Sequence, residues 1–117
     1  MRSFFADIIK TRSLDGDHIV TLKLSPELSV FEGHFPEDPV LAGVVQIHWA
    51  IVYAADLYGP MGGFQGMEQV KFFSLIKAGD PLELRLSYDS ERSRLKFEYF
   101  SKNAPKSSGI IVFGRSK

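Results

Sequence analysis

The sequence predicts an α+β domain with one long helix and an antiparallel sheet, on three observations. The stretch from Val40 to Tyr58 is apolar on every side of a helical projection. The remaining apolar residues alternate with polar ones in short runs bounded by turn residues. The chain has 117 residues, which suits one core, so residues 1–117 are read as a single domain.

The elements follow in order. Val20, Leu22 and Leu24 alternate with Thr21 and Lys23, and Pro26 closes that strand. Asp15-Gly16 is a turn signal joining it to an earlier strand near Phe4–Arg12. The helix starts either at Asp38-Pro39, as cap and first turn, or nearer Ala42-Gly43, and Gly59-Pro60 ends it. A helix apolar all round needs the sheet to wrap it or a second subunit to cover it. Beyond a glycine-rich loop over 59–66, four strands are expected: Val70 to Ile76, Leu82 to Tyr88, Leu95 to Tyr99, and Ile110 to Phe113. Ala78-Gly79-Asp80-Pro81 and Asp89-Ser90-Glu91 supply turns between them.

Composition removes several classes of function. Fourteen bases balance fourteen acids, so no global basic field exists for nucleic acid or an anionic membrane. No cysteine is present, which excludes disulfides, thiol nucleophiles and thiolate metal sites. Three histidines, with His18 apart on its own strand, make no recognised metal-ligand spacing. The glycines over 59–66 lack the Lys-Ser/Thr ending of a phosphate loop. Asp7 interrupts the N-terminus before a signal-peptide core forms, and Gln46, His48 and Asp56 interrupt the apolar helix. That helix falls short of the ~20 apolar residues a membrane span needs, so a cytoplasmic chain is expected. The balance conceals an asymmetry: residues 91–117 carry seven bases against Glu91 and Glu98, a net of +5, leaving −5 for residues 1–90. A basic third of this kind either steers an acidic partner or is simply a solvated hairpin.

One segment carries candidate chemistry. His34 lies in a loop fixed by Pro36 and Pro39, just ahead of the helix. A helix start offers unpaired N–H groups and the positive end of a dipole, and Gly43 permits close approach to them. His48 follows fourteen residues after His34, a polar group in an apolar wall. Histidine titrates near ~6.5, so it can take and return a proton at neutral pH. An N–H aimed at a carbonyl oxygen would stabilise developing negative charge. Equally, His34 read alone is an ordinary turn residue and His48 an ordinary core histidine.

Gly33-His34-Phe35-Pro36, followed by Pro39-Val40-Leu41-Ala42-Gly43-Val44-Val45-Gln46-Ile47, resembles the signature of 3-hydroxyacyl-acyl carrier protein dehydratases of the hot dog fold. Gln69-Val70-Lys71-Phe72 with Ala78-Gly79-Asp80-Pro81-Leu82-Glu83-Leu84 is similar to a later strand pair of that family. The run Val44 to Ala50 is similar to the branch associated with aryl polyene clusters. The resemblance implies a sheet wrapped around one central helix, a homodimer or higher homo-oligomer, and a site at the subunit interface. It implies that His34 takes the α-proton, the Gly43 N–H holds the thioester carbonyl, and His48 protonates the departing hydroxyl. Phe35, Leu41 and Phe72 are then candidates to line the acyl tunnel. The implied substrate is a phosphopantetheine-linked acyl chain on an acyl carrier protein, or acyl-CoA, with no cofactor. The chain departs from the pattern at three positions: His48 replaces an acid, Glu37 a glycine and Ala42 a proline. Two alternatives stay open, a hot dog thioesterase using Asp56, Glu32 or Glu37, and a non-catalytic acyl-thioester-binding subunit.

Overall fold

The computed structural model describes residues 3–32 and 39–114. Strands β1 (Asp7–Leu14) and β2 (Asp17–Lys23) form a hairpin. Asp15 and Gly16 have φ of 52° and 87°, the twist a two-residue hairpin turn requires. The first strand therefore starts later than Phe4. The segment before it is held separately, by the Ser29 N–H on the Ser3 carbonyl and the Tyr53 hydroxyl on the Ala6 carbonyl, at 2.8 and 2.9 Å.

Helix α1 (Gly43–Tyr58) takes the later of the two expected starts. Residues just before it cannot turn helical because their backbone groups are already engaged. The Leu41 N–H donates to the Ile76 carbonyl at 2.7 Å, and Val40 forms a bridge with Lys77. Ala42 occupies the cap position; Asp38, the other candidate, lies outside the described residues. Gly59 ends the helix with φ of 84°, its N–H donating to the Ala55 carbonyl.

Strands β3 (Phe64–Phe72), β4 (Pro81–Asp89), β5 (Arg94–Ser101) and β6 (Ala104–Phe113) complete one antiparallel sheet in the order β1-β2-β4-β5-β6-β3. The expected strand Val70 to Ile76 is corrected: the strand lies earlier, running through part of the glycine-rich stretch. A break in the β3–β6 register falls between Glu68 and Lys71, where Gln69 adopts a φ of 53°. Such a bulge flips the side-chain alternation. As a result Met67 and Phe72, an odd number of residues apart, both pair with helix-facing positions, Ile111 and Ser107. The final strand begins at Ala104, well before Ile110, because Lys102 and Asn103 form the tight turn after β5.

Leu82, Leu84 and Leu86 of β4, Leu95, Phe97 and Tyr99 of β5, and Ile111 of β6 are fully buried. Against them α1 lays Gln46, Trp49, Ala50, Tyr53 and Ala54, one face at helical spacing. The opposite face is not enclosed by this chain's own sheet: Val44 is 74% exposed and His48 is exposed. Phe64, Met67 and Phe72 on the β3 edge, with Phe73 and Leu75 beyond it, are also exposed. The helix therefore covers the middle of the sheet and leaves its β3 side open.

Candidate active site

The start of α1 is a clamped backbone turn. Val45 and Gln46 N–H groups both go to the Ala42 carbonyl at 3.1 Å. The Gly43 and Val44 N–H groups meet no acceptor among the described residues, as expected of a first helical turn. Gly43 has no side chain for a spatial reason. A Cβ there would stand 2.6 Å from Cζ of the Phe72 ring, inside any real carbon contact. Phe72 is carried to that position by the β3 bulge, so an edge-strand aromatic walls the helix start.

Of the residues singled out in the sequence, the structure brings Gly43 and Phe72 into contact. Leu41 is buried, its N–H and carbonyl both bonded. His34 and Phe35 lie outside the described residues. His48 is exposed, and its ring sits 5.9 Å from that of Phe4 and 5.8 Å from that of Phe5. His48 lies five positions after Gly43, about 7.5 Å along the axis and roughly 140° around it. Within one chain the two therefore address different sides of the helix. His18 lies on β2 beside the Tyr58 ring. Among the described residues no group of three His, Asp or Glu side chains is placed to hold a metal. No described helix is long and apolar enough to cross a membrane.

Sequence reasoning missed a buried polar cluster beneath the helix start. Gln46 Nε2 donates to the Leu41 carbonyl at 3.0 Å, and Ser107 Oγ donates to Gln46 Oε1 at 2.6 Å. The Tyr99 hydroxyl donates to the Gln46 carbonyl at 2.6 Å. Complete burial pushes the Tyr99 phenol well above its ordinary range, so it remains a donor. The only available signal was a lone glutamine on an apolar helix. The Phe4 and Phe5 contacts to His48 left no signal at all.

The comparisons with known proteins fall on this architecture. A family model described as ApeI-like, ApeI dehydratase, matches residues 10–110. The subunit in the dehydratase heterocomplex ApeI:P from Xenorhabdus doucetiae superposes with a TM-score of 0.86 at 33% identity, covering 94% of this chain and 98% of that one. An uncharacterised protein from Erwinia carotovora superposes at 0.78 with 28% identity, covering 96% and 95% of the two chains. The 3-hydroxyacyl-acyl-carrier-protein dehydratase FabZ of Caldanaerobacter subterraneus is 32% identical over 72 residues, 56% of this chain and 51% of that protein. The chain thus matches about half the length of that relative. The fold is the hot dog fold, six antiparallel strands about one long helix. With the family model spanning most of its length, this chain belongs to the ApeI-like dehydratase family.

Proposed function

We propose that this chain is a 3-hydroxyacyl thioester dehydratase acting on an acyl chain held by an acyl carrier protein or coenzyme A. One observation carries the reading: N–H groups without an acceptor among the described residues at a clamped helix start, beside an aromatic wall and directly following the His34 loop in the sequence. Family membership agrees with it. The thioester carbonyl accepts from the Gly43 N–H, which makes the neighbouring α-proton acidic as negative charge moves onto oxygen. His34 takes that proton, and its electron pair becomes the new Cα–Cβ double bond. The Cβ–O bond breaks, and His48, entering as an imidazolium, gives the hydroxyl its proton so that water leaves. His34 ends protonated and His48 neutral, so the proton count closes without a cofactor. The acyl chain runs along Leu41, Phe72 and Phe35.

The reading places the site between two chains, because Gly43 and His48 of one chain face different sides of α1. A second hot dog chain seated on the open β3 side would cover Val44, Phe64 and Met67. A homodimer is the simplest such assembly, and a pair with a different subunit, as in the ApeI:P heterocomplex, is the other. The net charge of +5 over residues 91–117 favours an acidic carrier. The cytoplasmic location expected from the sequence belongs to the same reading.

The test is product identification with a 3-hydroxyacyl thioester on each carrier. The proposal expects a 2-enoyl thioester with its carrier still attached. Release of free thiol would replace it with the thioesterase reading. Stoichiometric bound thioester without turnover would replace it with the binding-subunit reading.

A further inference from the structure

We infer that Gln46 is a positioning residue, which aims the helix-start N–H groups by tying the turn before the helix to the sheet beneath it. The inference rests on the dehydratase reading for its consequence, but its geometry stands independently.

Gln46 is polar on the buried face of an otherwise apolar helix, and only 4% exposed. A carboxamide taken out of water without partners is costly, so its retention there needs all its bonds made. Each end of the carboxamide has a partner, in two directions. Its Nε2 reaches back to the Leu41 carbonyl, two residues before Gly43. Its Oε1 accepts from Ser107 on β6, itself 1% exposed. The Gln46 main-chain carbonyl accepts from Tyr99 on β5. Leu41 is thereby held from both ends, since its own N–H donates to the Ile76 carbonyl.

The pairing register gives this clamp its relation to the site. Tyr99 is opposite Ser107, and Ser107 is opposite Phe72. These three form one row across the helix-facing side of the sheet, ending at the ring against Gly43. Gln46 sits on the middle of that row and grips the turn that orients Gly43. A displacement of about 1 Å in a group that contacts a reacting carbonyl can cost on the order of 100-fold in rate. The cluster thus ties the turn that carries the N–H donors to the row of the sheet that carries the ring beside them.

Three variants separate positioning from mere stability. Gln46→Leu fills the volume but leaves the Leu41 carbonyl and Ser107 hydroxyl buried without partners. Adding Ser107→Ala removes one of those orphans, so the double variant recovers part of the lost thermal stability. Ser107→Ala alone keeps the bond to Leu41. The expectation is a fall of roughly 10-fold or more in kcat for Gln46→Leu, with KM changed under about 3-fold. The fall persists in the more stable double variant and is smaller in Ser107→Ala. Activity that recovers together with stability in the double variant, or an unchanged kcat in folded Gln46→Leu, overturns the inference.

If wild type shows no dehydration, the proposed function fails, and amide hydrogen exchange decides the positioning claim alone. In the double variant the amides of residues 41, 45 and 46 should exchange at least ~10-fold faster than in wild type, with those of residues 49–53 unchanged. Uniform acceleration along α1, or none at residues 41, 45 and 46, overturns it.

Discussion

Gly43→Ala is the substitution whose consequences the structure fixes most closely. The new methyl would lie 2.6 Å from Cζ of Phe72, 2.9 Å from Cε1 and 3.2 Å from Cε2. Ordinary carbon contacts begin near ~3.5 Å, so the ring has to retreat by about 1 Å. Phe72 sits on an edge strand and is 52% exposed, so it can swing outward. The overpacking cost therefore falls at the low end of its usual range, about 1 kcal/mol. Alanine offsets part of it, since glycine is worse by up to about 1 kcal/mol inside a helix. The glycine has no positive φ that an alanine would strain. The net stability change should stay within about 1 kcal/mol, a melting shift of roughly 5 °C or less. Activity should not be spared. Methyl and displaced ring occupy the space where a thioester reaches the Gly43 N–H, and losing one such donor costs about 100- to 1,000-fold in kcat. The assay is enoyl thioester absorbance beside a thermal melt, for Gly43→Ala alone and with Phe72→Leu. Phe72→Leu should restore the melt without restoring turnover. A folded Gly43→Ala variant working within ~3-fold of wild type would refute the role given to this helix start.

Three other predictions address different parts of the account. His48→Glu returns the acid of the resembled pattern and should retain or raise turnover; complete loss in a folded variant would show that the imidazole has a role that pattern does not supply. Met67→Glu places a charge on the open β3 edge and should convert an assembly of at least twice the 13.1 kDa chain mass to monomer by light scattering; an unchanged mass would move the interface elsewhere. Burial pushes the Tyr53 phenol up to about 12. A raised folded-state value means that stability is intact below the free phenol's ~10 and drains as pH climbs from there to about 12, by up to ~1.4 kcal/mol per unit. Tyr53→Phe should lose about 1 kcal/mol at neutral pH, with the Ala6 bond, yet unfold less steeply in alkali. An unchanged alkaline slope in denaturant titrations would contradict this.

The parts of the fold legible in the sequence are those with strict alternation. Leu82, Leu84 and Leu86, then Leu95, Phe97 and Tyr99, read directly as strands because one face of each is wholly buried. Strand β3 was misplaced because its bulge at Gln69 breaks the alternation that marks a strand. The first half of β6, Ala-Pro-Lys-Ser-Ser, shows too few apolar residues to declare itself. Two sides of α1 differ in burial although both are apolar, and apolarity alone does not say which of them this chain's own sheet covers. At the site, His34 lies outside the described residues, whereas the glycine at the helix start was readable from local spacing. The Phe72 ring over Gly43 was not, nor were the Gln46 bonds to Tyr99 and Ser107, which lie 53 and 61 residues on. Contacts at that separation depend on register, and for Phe72 the register depends on the bulge at Gln69.

The central claim is that His34 removes the α-proton of a carrier-bound 3-hydroxyacyl chain. Its most direct measurement is deuterium uptake at the α-carbon when the enzyme hydrates a 2-enoyl thioester in heavy water, followed by mass spectrometry for wild type and His34→Ala. The account predicts one α-deuterium per turnover in wild type and no uptake above the enzyme-free rate in His34→Ala, with the variant still folded. Uptake by His34→Ala at the wild-type rate would contradict it.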